Sequence, residues 1–172
     1  MPTANDIAFS KERYDKYDGP GKQVAVEFLN QFGFSEIVEN LGESQGNFQN
    51  IWDVKGEHPE VGEWRIESEV KEDWGTKWVD VPFKFHTMDF PFRKRNKAIQ
   101  HATHMMIVGG DHKRLFIVNR EVMLESKVTY KPCRNRQEPE PFFNVDITSP
   151  KSAFYFKNKD GNWVHYRMRG KS

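Results

Sequence analysis

The sequence predicts a single α/β domain built on a mixed β-sheet, and three observations predict it. The chain has 172 residues, the length of one ordinary domain. Residues 64–71 alternate strictly, with Trp64, Ile66, Ser68 and Val70 on one face and Arg65, Glu67, Glu69 and Lys71 on the other. The candidate elements run helix, strands, helix, strands and a closing hairpin, the pattern of helices packed on a sheet.

In chain order, residues 21–32 read as a helix, with Val24, Phe28 and Phe32 at i, i+4 spacing and Gly33 as its stop. Residues 48–55 carry Ile51, Trp52 and Val54 and read as a strand. Pro59 and Gly62 make residues 57–63 a connecting loop before the alternating strand 64–71. After a loop rich in Trp and Pro, residues 93–103 read as a basic helix. Residues 104–108 and 114–118 are short buried strands split by the turn Gly109-Gly110-Asp111. Residues 119–124 read as a short helix and residues 131–141 as a loop. Residues 153–156 and 162–167 flank Asn158-Lys159-Asp160-Gly161 and form a hairpin. No repeat, low-complexity tract or linker divides the chain, so residues 1–172 are expected to be one domain.

Composition excludes several classes. The longest apolar runs, such as Met105-Met106-Ile107-Val108, fall far short of the roughly 18 residues of a membrane span. The first 22 residues are polar, which argues against a secretory signal and for a cytoplasmic protein, in a host cytoplasm if the source is viral. The one cysteine, Cys133, excludes a disulfide framework and a Cys-rich zinc site. It sits beside Arg134 and Arg136, which would favour a thiolate, but no base stands at a supporting spacing. His101 and His104 have the i, i+3 spacing of a ligand pair, yet no third ligand pattern accompanies them.

Net charge is only +1, but its distribution is uneven. Residues 36–73 carry a net of −8, residues 92–113 a net of +4 and residues 151–172 a net of +5. That is either a solvated patchwork or a cation-binding carboxylate cluster bordered by phosphate-attracting surface.

The strand 64–71 carries the chemistry. Glu67, Glu69 and Lys71 share a face, successive pairs about 7 Å apart. The bland alternative is a solvent-facing strand with weak ion pairs. Asp/Glu-x-Lys occurs four times, at Asp53–Lys55, Glu69–Lys71, Asp111–Lys113 and Glu125–Lys127. Only Glu69–Lys71 ends an alternating strand that follows another strand bearing an acid, Asp53.

Glu27 on the first helix, Asp53 in Ile51-Trp52-Asp53 and Glu69-Val70-Lys71 together resemble the PD-(D/E)XK nucleases, the restriction-endonuclease-like superfamily. The resemblance covers about residues 14–125, leaving residues 126–172 as a C-terminal strand and hairpin extension. It departs from the family pattern in having no Pro before Asp53, and Glu67 shares the face with Glu69 and competes with it as a ligand.

The resemblance implies a central mixed sheet flanked by helices and a Mg²⁺- or Mn²⁺-dependent endonuclease acting on DNA. It makes Asp53, Glu69 and the Val70 carbonyl the metal ligands. Mg²⁺ suits such a set, since it binds through one or two carboxylates together with phosphate oxygens. Glu27 would bind the attacking water or a second ion, and Lys71 would orient water and steady the transition-state charge. Arg93, Lys94, Arg95, Lys97 and Gln100 on the basic helix would track phosphates and reach a groove. Trp74 and Trp78 would stack on an unpaired base or pack as core. No membrane partner is expected, and a homodimer is one assembly open to the chain. The competing readings are a catalytically silent nucleic-acid-binding or virion-associated protein on the same fold, and a structural protein whose aromatics fill an interface.

Overall fold

The structure, a computed structural model, describes residues 16, 19–40, 52–78, 85–132 and 137–166. Helix α1 (Gly19–Gln31) starts with Pro20 in its first turn, where a missing N–H costs nothing. Val24, Ala25, Phe28 and Leu29 form its buried stripe. It ends in a Schellman cap. The Phe34 N–H donates to the Leu29 carbonyl at 3.0 Å, and the Gly33 N–H to the Asn30 carbonyl at 3.3 Å. Gly33 makes this possible at φ +85°, a conformation that L side chains rarely adopt.

Three antiparallel strands follow as a meander: β1 (Ser35–Glu39), β2 (Val54–His58) and β3 (Gly62–Lys71). Strand β1 is bulged between Ser35 and Val38, where Glu36 takes φ +51°. Strand β4 (Thr87–Pro91) leads through a 3-10 turn (Phe92–Lys94) into the short helix α2 (Arg95–Gln100). Strand β5 (His104–Gly109) then pairs parallel to β3, and β6 (Arg114–Asn119) returns antiparallel. After α3 (Arg120–Leu124) come β7 (Lys127–Lys131), β8 (Glu140–Asp146), β9 (Ser152–Lys157) and β10 (Trp163–Tyr166).

The result is one α/β domain dominated by a curled mixed sheet with few helices. Seven strands lie in the order β1-β2-β3-β5-β6-β9-β10, and a second sheet has the order β4-β8-β7. One face of the large sheet packs on α1 through Phe28, Leu29, Ile66, Met106, Val108 and Leu115. The other face packs on the small sheet through Phe90, Met105, Ile107, Phe116, Phe143 and Phe154. Met105 and Ile107 go one way and Met106 and Val108 the other, so β5 is buried on both sides and reads as a continuous apolar run. Helix α1 lies close on β3: a Cβ at Gly21 would fall 2.7 Å from Val70 Cγ2. Among the described residues no helix is long and apolar enough to cross a membrane.

Several expected elements are corrected. Residues 57–63 are a tight β2–β3 hairpin rather than a loop, because β2 runs on to His58 and β3 begins at Gly62. Asp53 lies in the bend just before β2 rather than within a strand, while residues 48–51 fall outside the described residues. The basic helix of residues 93–103 is a 3-10 turn and a six-residue helix, since Thr103 is already bonded along β3: its N–H donates to the Arg65 carbonyl at 2.8 Å. The small sheet was not expected. On the charged face of β3, Glu67 is buried and Arg65, Glu69 and Lys71 are half-buried, so that face is not an open solvent-facing one.

Candidate functional site

Strand β2 ends at Val54, opposite Ile66, while β3 continues to Lys71. Past that point the N–H groups on this side of β3 have no β2 partner, and Asp53 supplies one. Its Oδ2 accepts the Ser68 N–H at 2.8 Å and the Ser68 hydroxyl at 3.2 Å. From the α1 side, the Lys22 ammonium lies 3.7 Å from Asp53 Oδ1 and donates to the Asn40 carbonyl at 2.9 Å. Asp53 is 4% exposed and Lys22 2%.

The opposite face of β3 carries Glu67 and Glu69. The chain leaving β4 crosses above them and presents Arg93 and Lys94. Lys94 Nζ is 2.5 Å from Glu67 Oε1 and 3.1 Å from Glu69 Oε2, and Arg93 Nη2 is 3.1 Å from Glu69 Oε1. Glu67 is 2% exposed. Burial alone would lower the Lys94 pKa, but Glu67, Glu69 and Asp53 outweigh it together and hold the ammonium charged well beyond the usual lysine range. Asp53, Glu67 and Glu69 thus face Lys22, Lys94 and Arg93, charge for charge. Ionised groups in such burial need partners of this kind to be tolerated.

The other expected residues stand elsewhere. Glu27 is exposed on α1 and paired with Lys157 at 3.0 Å, away from Asp53. Lys71 shares the face of Glu69 but is in the company of Asp89, Lys131 and Asp73, with its ammonium 5.4 Å from the Trp78 ring centre. Burial is the main influence there and lowers its pKa. Val70 stands in the β3–β5 ladder opposite Val108, with its side chain against α1 at Gly21. Arg95 and Gln100 are exposed, whereas the side chain of Lys97 lies outside the described residues. Trp74 is core, 1% exposed, and edge-on to Phe154. His101 and His104 are not drawn into a metal cluster, and Cys133 lies outside the described residues.

Sequence reasoning missed Lys22 and the true surroundings of Lys94. A signal existed for the first. Lys22 sits at i−3 and i−7 from Ala25 and Leu29, on the apolar stripe of α1, where a lysine must be buried with a partner. No comparable pattern marks Lys94, because its burial depends on where the 3-10 turn after β4 settles on β3.

Among the described residues no group of three or more His, Cys, Asp or Glu is gathered closely enough to hold a metal ion. Mg²⁺ needs fewer, since one or two carboxylates suffice when a phosphate and water complete its shell. Glu67 and Glu69 already converge on one cation, the Lys94 ammonium, and both offer hard carboxylate oxygens. In donor chemistry the pair fits a divalent ion, and Asp53, bonded to Ser68, adds its charge at longer range. No protein-family model, no curated protein and no solved structure matches this chain.

Proposed function

We propose that the chain is a divalent-metal-dependent nuclease acting on DNA, with Asp53, Glu67, Glu69 and Lys94 as its centre. The observation that carries this reading is the buried Glu67–Lys94–Glu69 cluster beside Asp53, placed where β2 and β3 part. An ammonium as strongly perturbed as that of Lys94, set among carboxylates, is a feature of reaction centres. Supporting it is the order of elements: α1, the β1–β2–β3 meander, a short basic helix, then β5 beside β3. That order accords with the PD-(D/E)XK resemblance.

In this reading the metal would be held by Glu67 and Glu69 with Asp53 near it, and it would supply charge neutralisation at the scissile phosphate and an activated water. Asp53 is fixed by Ser68 and Lys22, so its orientation does not depend on substrate. In this reading the lysine role passes to Lys94 rather than Lys71, because Lys94 is the lysine paired with Glu67 and Glu69. Held protonated by three carboxylates, Lys94 is an unsuitable general base at neutral pH; it is a donor to the oxyanion that develops on phosphate. Arg93, half-exposed beside Glu69, would meet a neighbouring phosphate.

The test is cleavage of supercoiled and single-stranded DNA in Mg²⁺ or Mn²⁺ against EDTA. Glu67→Gln and Lys94→Gln should each lose about 10²-fold or more in rate, with Lys71→Gln close to wild type. Equal losses in Lys71→Gln and Lys94→Gln would remove the assignment. A second reading, a silent DNA-binding module, is favoured by the balance of three cations against three carboxylates. It requires DNA binding with no cleavage and no metal uptake.

A further inference from the structure

Three rings stand in a row on the α1 side of the large sheet. Phe34 lies 5.1 Å from Trp64 at an interplanar angle of 55°, and Trp64 stacks on His104 with centroids 3.7 Å apart and planes 22° apart. The row follows the strand order toward β6, where Asn119 stands opposite His104. Asn119 breaks the row, because its side chain accepts the Glu121 N–H at 2.9 Å and caps α3. Lys151 and Ser152 lie beyond it at the start of β9.

The interruption leaves a cavity of about 500 Å³. Phe28, Trp64, His104 and Tyr155 line it with rings, and two exposed charged residues border it, Lys151 and a Glu121 whose carboxylate is paired with Arg120 at 3.2 Å. Small-ligand sites have such volumes, mostly apolar walls and a few polar groups that fix orientation. The His104 wall is pre-set. Its Nδ1 is 2.9 Å from the Thr103 hydroxyl, which is itself placed by the Arg65 N–H at 2.8 Å and the Arg65 carbonyl at 3.1 Å. Burial lowers the His104 pKa to about 4 against a weaker opposing pull from Glu121, so the ring is uncharged at neutral pH.

We propose that this cavity binds a flat heteroaromatic ring carrying an anionic group, of the class of a nucleoside monophosphate. The ring continues the Trp64–His104 stack in the space above Asn119, and the anion meets Lys151. Ring-on-ring contact with a base is tolerant of base identity, so the class is defined by flatness and charge. The site is on the opposite face of the sheet from Glu67 and Lys94 and does not depend on the nuclease reading.

The experiment titrates the full chain with AMP, with adenosine and inorganic phosphate as separate probes, by tryptophan fluorescence and calorimetry. AMP is expected to saturate with a Kd between about 10 µM and 1 mM, and adenosine to bind about tenfold more weakly. Lys151→Ala should bring AMP to the affinity of adenosine and leave adenosine unchanged. His104→Ala should weaken both by about tenfold, the loss expected for one stacking partner. Thermal melts of each variant separate lost binding from lost fold, and exposed Lys151 keeps the test decisive if His104→Ala does not fold. Three results would overturn the proposal: no AMP binding up to about 10 mM, tenfold above the weakest expected Kd, phosphate alone binding as tightly as AMP, or AMP affinity unchanged in Lys151→Ala.

Discussion

The charged face of β3 has two ends that treat a lysine in opposite ways. At Glu67 and Glu69, the Lys94 ammonium arrives from the crossing segment, meets three carboxylates and is held charged. Toward the C-terminus of the strand, Lys71 comes from β3 itself, and burial lowers its pKa against the pull of Asp89. Both lysines lose water. What differs is the number of carboxylates each receives, and that is decided by the β4 segment rather than by spacing along β3. Asp89 is already shared among Asn144, Thr87 and Lys131, so it has less to offer Lys71. Proximity in sequence therefore does not choose which cation neutralises a carboxylate; the turn that crosses above does.

The largest expected effect breaks this comparison directly. Lys94→Met should cost about 3–5 kcal/mol in urea unfolding, because it leaves Glu67 buried without its cation, while Lys71→Met should cost about 1 kcal/mol or less. Comparable losses would mean that the two ends are equivalent. In the same variant, removal of the competing ammonium should tighten Mn²⁺ binding about tenfold or more by calorimetry, and Lys71→Met should leave it unchanged. Asp53→Ala should come next, at about 2–4 kcal/mol, since it strands the Lys22 charge and the Ser68 N–H together.

A smaller effect comes from His104, a half-buried group on which only the weaker pull of Glu121 opposes burial. His104 has a folded pKa of about 4, below its unfolded value, so the unfolded chain binds more protons between those two limits. Stability should be full above about pH 6.5 and fall as pH drops toward 4, by about 1–3 kcal/mol, with the slope reduced in His104→Phe. The smallest effect belongs to the exposed partner of Glu69. Arg93→Ala should change stability by less than about 1 kcal/mol. It should nevertheless reduce the salt dependence of duplex DNA binding by about 0.9 in log–log slope if Arg93 meets a phosphate.

Much of the large sheet was legible because its strands announce themselves by period. Strand β3 alternates, β5 and β6 are built around the apolar runs 105–108 and 115–118, and Gly109-Gly110 marks the turn between them. The small sheet was not legible for local reasons. Phe143, Val145 and Ile147 do alternate inward, but Pro139 and Pro141 precede them and suggest a loop. Met88 and Phe90 point inward from a strand of only five residues ending in Pro91. Strand β7 is largely exposed, and its short alternation of Val128 and Tyr130 does not mark a buried face. At the site, Asp53 and the acidic face of β3 could be read from the residues. The partners of that face could not, because they come from α1 and the β4 segment through packing between elements far apart in sequence.

The bulge in β1 has a consequence for how the protein behaves in a crowded solution. Among the described residues β1 is an outer strand of the large sheet, with open backbone donors and acceptors that a second chain could join. The irregular register between Ser35 and Val38, with Glu36 at positive φ, turns that rim away from the flat geometry that strand addition needs. Glu36 and Glu57 also crowd there, and the pKa of Glu57 is raised chiefly by its hydrogen bond with Glu36 and their mutual repulsion. A second copy approaching this rim would add like charge to like. The kink and the acids thus act as a guard against fibre growth, and neutralising both acids, as in Glu36→Gln with Glu57→Gln, should make the concentrated protein associate at lower concentration than wild type in light scattering.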